Sequence, residues 1–188
     1  MYLLRKFSIL FSFLLVAGCT GVPDGLTPVN NLDLDRYLGK WYEIARLDHG
    51  FERGLTHVTA EYSKREDAGI KVVNRGYDTE KQQWKEAVGK AYPVAEPTEG
   101  RLKVSFFGPF YGGYNIIELD DEKYRYSLVS GPSRSYLWIL SRDPQMSPVI
   151  YSRLVKRASE LGFDTSKLIY VDQSREMAPA SGAASQLR

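Results

Sequence analysis

The chain has a single cysteine, Cys19, two histidines and almost no excess charge among its 188 residues. One Cys can form no intramolecular disulfide and no thiolate-rich zinc site, and His49 and His57 alone make a poor metal cage. No metal or other cofactor is therefore expected. Lys and Arg total 25 against 23 Asp and Glu. Such a balance offers no basic surplus for phosphates, so a nucleic-acid partner is excluded. No apolar run approaches the roughly 20 residues that a membrane-spanning helix needs. Gly-x-Ser-x-Gly, His-Glu-x-x-His, phosphate-loop and Gly-x-Gly-x-x-Gly patterns are also missing, which argues against an enzyme. What the chain does have is aromatic mass: 3 Trp, 13 Tyr and 8 Phe suffice for one compact core.

The ends read differently from the middle. Arg5 and Lys6 precede an apolar run from Phe7 to Ala17 and then small residues, the make-up of an export signal over residues 1–18. Val16-Ala17-Gly18-Cys19 resembles a bacterial lipobox, which implies lipidation of Cys19 after cleavage before it. Loss of Arg5 and Lys6 with the leader brings the acidic and basic counts level. Thr20 after the Cys, where retention in the inner membrane would place Asp, implies sorting to the outer membrane with the barrel facing the periplasm. Residues 19–32, rich in Gly, Pro, Thr and Asn, suggest a flexible tether. Residues 174–188 suggest a disordered tail.

Between them, over residues 33–173, short β-rich runs recur, punctuated by Gly, Pro, Asp and Asn: 41–47, 57–64, 70–77, 84–92, 101–107, 113–119, 124–130 and 136–141. Leu102, Val104 and Phe106 alternate with Arg101, Lys103 and Ser105, and Val58, Ala60 and Tyr62 alternate with Thr59, Glu61 and Ser63. Eight sequential strands with one apolar face bury it by closing into an antiparallel up-and-down barrel, which also removes the sheet edges. The fold class is thus all-β. Ser147-Pro148 opens one helix with apolar residues at 149, 150, 154, 155, 158 and 161, to be packed outside the barrel, and Gly162 stops it. A last short run, 168–171, is expected to pair with the first strand.

Gly39-Lys40-Trp41-Tyr42, at the start of the first strand, and Tyr136 to Arg142, at the end of the eighth, resemble the lipocalin family. Trp41 to Arg46 and Lys103 to Asn115 are similar to its bacterial outer-membrane lipoproteins. The resemblance implies that Trp41 plugs the closed end and that Arg142 crosses its ring, with Gly39 permitting the tight turn beneath. These three residues are read as structural. Asp120 to Tyr124 departs from the family's usual turn at that loop.

Strand parity points Ala45, Val58, Ala60, Phe106, Tyr126 and Trp138 inward and places Tyr111 near the mouth, as ligand-binding candidates. Ala87, Gly89 and Ala91 on the fourth strand leave room beside them. The strand 114–119 has apolar groups on both faces and no assigned parity. The expected function is that of a membrane-anchored carrier or store of amphiphilic lipids, fatty acids such as palmitate or lysophospholipids. A lipocalin-fold enzyme and a packed structural lipoprotein are the alternatives, and homodimerisation stays open.

Overall fold

The computed structural model describes residues 20–94 and 96–174. The expected leader with Cys19, and the expected tail beyond Ser174, lie outside the described residues. Helix α1 (Leu34–Tyr37) precedes eight strands: β1 (Gly39–Leu47), β2 (Leu55–Lys64), β3 (Ile70–Asp78), β4 (Gln83–Pro93), β5 (Arg101–Phe107), β6 (Phe110–Leu119), β7 (Tyr126–Ser130) and β8 (Leu137–Ser141). Helix α2 (Pro148–Glu160) and strand β9 (Leu168–Tyr170) follow. Each strand from β1 to β7 pairs antiparallel with its successor, and β1 bonds to both β2 and β8, closing the barrel.

β1 changes partners along its length. Gly39–Tyr42 pair with Tyr62–Thr59 of β2, whereas Ala45–Leu47 pair with Tyr170–Leu168 of β9. Its other edge meets β8 from Tyr42 to Arg46, with a bulge between Glu43 and Ala45 where Ile44 is the extra residue. Gln173 spans the seam that opens between β1 and β2, its Nε2 donating to Glu43 O at 2.7 Å and Val58 O at 2.9 Å.

Two apolar clusters result, one inside the barrel and one between its wall and α2. The inner cluster includes Trp41, Tyr62, Val72, Ala91 and Leu140. The outer one gathers Ile44, Ala45, Leu128, Leu137 and Ile139 beneath Leu154 and Ala158, both fully buried on α2. The helix begins with Pro148 in its first turn, and the chain leaves it through Gly162 at φ +84°, a left-handed conformation suited to glycine. Burying a Leu such as Leu154 contributes about 1.5–3 kcal/mol, so the stripe alone fixes the helix on the wall.

Residues 20–32, expected as a flexible tether, pack against the barrel, Val22 and Leu26 with the outer cluster and Val29 and Leu32 with the inner one. Leu26 and Leu32 are buried, Val29 N donates to Ile116 O at 2.9 Å, and Gly100 N donates to Val29 O at 2.7 Å. Turn-forming composition concealed these few apolar anchors. The seventh strand also starts two residues late, because Tyr124 adopts φ +55° and turns its hydroxyl back to accept from Asp33 N at 2.8 Å.

Candidate ligand cavity and its closed end

At the closed end α1 lies across the barrel. Asp33 caps it, its Oδ1 accepting from Asp35 N at 3.0 Å and Arg36 N at 3.2 Å. Trp41 is fully buried and donates from Nε1 to Tyr37 O at 2.8 Å. The Arg142 guanidinium carbon sits 3.9 Å from the Trp41 ring centroid. Its nitrogens donate to Lys40 O (2.9 Å), Arg36 O (2.7 Å) and Tyr124 O (3.2 Å), satisfying three carbonyls in one layer. Gly39 has φ +92°, and a Cβ there would stand 3.4 Å from Arg142 Nη1. A cation–π contact of this kind contributes about 0.5–2 kcal/mol, and the hydrogen bonds fix its geometry.

Above this floor lies a cavity of about 290 Å³. Val58, Ala60, Phe106 and Trp138 stand on its wall, together with Tyr62, Val72, Val104, Tyr114 and Leu140. It opens between the loop after β1, through Phe51 and Glu52, and the loop before β8, through Pro132 and Tyr136. A second cavity of about 370 Å³ shares Phe51, Glu52, Val58, Asn74 and Phe106 with it and extends past Ala87, Phe107 and Phe110. Part of the room left by small residues on β4 is taken up: a Cβ on Gly89 would lie 2.8 Å from the Phe106 ring.

Deep in the barrel the Tyr114 hydroxyl meets those of Tyr37 at 2.8 Å and Tyr62 at 3.0 Å, and Tyr37 reaches Ser127 Oγ at 3.3 Å. Burial pushes the Tyr37 phenol up to about 12 and raises those of Tyr62 and Tyr114 as well. All three stay neutral and able to donate or accept.

Three of the expected lining residues are elsewhere. Ala45 faces α2, because the Ile44 bulge inverts parity beyond Glu43. Tyr126 also belongs to the outer cluster, with Arg153 stacked 5.1 Å from its ring centroid. The covering helix makes both faces of β7 buried, so apolarity could not tell inside from outside. Tyr111 stands on the outer wall against Tyr92, with ring centroids 6.4 Å apart, because alternation from the inward Tyr114 turns it away from the cavity. The unassigned strand resolves through another bulge: Ile116 joins the inner cluster and Ile117 the outer.

Sequence reasoning missed a charged group in the wall. Arg46 Nη1 donates to Glu43 Oε1 at 2.7 Å, and Nη2 donates to the carbonyls of Glu52 (2.9 Å) and Leu55 (3.0 Å). Trp138 Nε1 donates to Glu52 Oε2 at 3.1 Å, and His49 Nε2 lies 3.2 Å from the same oxygen. Glu43, Arg46, His49 and Glu52 are all buried. Burial raises both carboxyls, and Glu52 raises Glu43 further, so the pair facing one guanidinium retains a proton. Burial, reinforced by Arg46, lowers His49 to about 4 and keeps it neutral. Glu43 could have been found, since it lies two residues from Trp41 on the inward face.

The chain matches the lipocalin-like domain family over residues 32–173. It is 55% identical over 170 residues to Outer membrane lipoprotein Blc of Vibrio cholerae, covering 90% of this chain and 99% of that protein. It is likewise 55% identical over 163 residues to Outer membrane lipoprotein Blc of Escherichia coli K12, covering 86% and 92%. Among solved structures, insecticyanin from the tobacco hornworm Manduca sexta superposes with a TM-score of 0.65 at 23% identity, covering 81% of this chain and 86% of that one.

Proposed function

Because this chain belongs to the lipocalin family, we propose that it is an outer-membrane lipoprotein, anchored through acyl groups on Cys19, that binds amphiphilic lipids in its barrel. Fatty acids and lysophospholipids are the ligand class, held without turnover. The apolar cavity bounded by Val58, Ala60, Val104, Phe106 and Trp138 carries this reading. Such a wall rewards methylene groups at about 0.8 kcal/mol each and offers an anionic head no unpaired cation. The only cation of the buried group, Arg46, already serves Glu43 and two carbonyls. The acyl tail therefore enters first and the head stays at the mouth, away from Arg142.

Titration with fatty acids and lysophospholipids of graded length tests this. Trp138 fluorescence is isolated by Trp84→Phe, with Trp41 as a constant background at the closed end. Quenching should appear, and affinity should rise with chain length by at most about 0.8 kcal/mol per methylene until the cavity is full. No quenching and no length dependence would leave a packed structural barrel as the better account.

A further inference from the structure

β3 reads Ile-Lys-Val-Val-Asn-Arg-Gly-Tyr-Asp, with Asn74 at its centre, four residues from either end. Alternation from Ile70 and Val72, both in the inner cluster, turns Asn74 inward, and it stands in the wall of both cavities. Val58 and Phe106 line both with it. Its cross-strand neighbours are Ala60 on β2 and Ala87 on β4, whose methyl groups bring no polar atom to the carboxamide. Asn is poorly suited to the middle of a strand, and an amide taken out of water needs hydrogen-bond partners.

Its carbonyl has none. Among the described residues, Asn74 is the one member of either cavity wall with a buried side-chain polar atom, Oδ1, that no hydrogen bond meets. The polar groups deeper in and nearer the mouth are engaged. Tyr62 and Tyr114 serve one another and Tyr37, Glu43 takes Arg46, and Glu52 takes Trp138. Of the second cavity's cations, Arg75 pairs with Glu86 at 2.7 Å and Lys85 with Asp78 at 2.6 Å.

A ligand that satisfies this oxygen must bring a hydrogen-bond donor, which a ketone or an ether lacks. An ammonium group would carry its charge into an apolar wall. An amide N–H belongs to a head group, which the same wall leaves at the mouth. A hydroxyl on the acyl chain is neutral and donates. Four residues of β3 lead from Asn74 to Asp78 at the mouth end, roughly 14 Å at about 3.4 Å per residue, so the donor has to sit well down the chain from the head. We propose that the cavity selects acyl chains with a mid-chain hydroxyl, which donates to Asn74 Oδ1. The selection rests on the lipid-binding reading and deepens it by naming the kind of chain preferred.

The test compares the binding of stearate, stearate hydroxylated beside the carboxyl, stearates hydroxylated at successive mid-chain carbons, and the ketones that match them. In the parent chain the best-placed mid-chain alcohol should bind roughly two- to tenfold more tightly than stearate, the gain of one neutral hydrogen bond to an acceptor otherwise bare. The alcohol beside the carboxyl and the ketones should show no such gain. In Asn74→Leu and Asn74→Ala the ratio of that alcohol's affinity to that of stearate, read within each protein, should fall to unity or below. An undiminished ratio in both variants overturns the proposal. So does a ketone that gains in place of its alcohol, because the amide would then be presenting Nδ2. A parent chain that binds stearate and prefers no alcohol rejects the proposal alone, whereas one that binds no chain at all rejects the lipid-binding reading with it.

Discussion

Trp138 on β8 donates its indole hydrogen bond to Glu52, at 3.1 Å, and so ties the cavity wall to the loop that borders its mouth. Trp138→Phe removes the donor and leaves a buried carboxylate short of a partner, a loss of about 1–3 kcal/mol. Combining it with Glu52→Gln, which lessens the charge to be satisfied, should recover part of that loss. Urea unfolding of the four proteins of the cycle measures the coupling, and strict additivity would show that the contact contributes nothing.

Buried Glu43 and buried His49 make stability depend on pH in opposite senses. An unfolded Glu43 releases its proton near 4.5, whereas burial makes the native carboxyl hold it to higher pH. The native state then binds more protons than the unfolded one, and stability falls as pH rises above 4.5, by at most about 1.4 kcal/mol per unit, until the native group ionises. Glu43→Gln should therefore gain on the parent chain as pH rises through that window. Unfolding curves at several pH values measure the difference; a stability of variant minus parent that rises with pH meets the expectation, and a constant one does not.

His49 acts in reverse. Its native value of about 4 against an ordinary 6.5 means that the unfolded state binds more protons between those limits, so stability falls as pH drops from 6.5 to 4. His49→Gln should flatten that acid limb. An unchanged slope in denaturation midpoints would mean that the imidazole is not held neutral.

Trp41→Ala should cost about 3–5 kcal/mol, the usual price of emptying a packed aromatic site. Arg142→Lys keeps the charge but loses the planar fork that serves three carbonyls, and should fall in between. Neither should alter the chain-length dependence of lipid binding. A Trp41→Ala protein that melts like the parent yet loses ligand would place the cavity floor at the other end.

Gly89→Ala introduces a Cβ that meets Ser105 O at 2.7 Å and the Phe106 ring at 2.8 Å. Overpacking of this kind costs about 1–3 kcal/mol and should press Phe106 into the cavity, shortening the longest chain bound. Phe106→Leu in the same protein should restore the length and part of the stability, the Ser105 O contact remaining, as read from the lipid titration and from melting.

Much of this was legible because alternation is a local signal. Val58, Ala60, Phe106 and Trp138 lie where a period of two puts them, and Pro148 and Gly162 bracket α2. Parity failed where geometry was not local. The extra residue at Ile44 reversed Ala45, apolar groups on both faces of β6 hid which way Tyr111 points, and α2 hid the exposed face by which Tyr126 would have been sorted. Arg46 escaped notice for the same reason as Ala45: the bulge that sends one out brings the other in, beside Glu43.

The exchange of partners along β1 bears on the order in which the barrel can be completed. β9 and Gln173 fill the seam between β1 and β2, with His57 N donating to Asp172 O at 2.8 Å and Val171 N to Ile44 O at 2.9 Å. These contacts join the first strand to nearly the last described residues. An exported chain that emerges N-terminus first therefore keeps the second half of β1 without its β9 partner until residue 173 has cleared the channel, and a chain cut short before that point would carry an unpaired edge ready to take a strand from a neighbour.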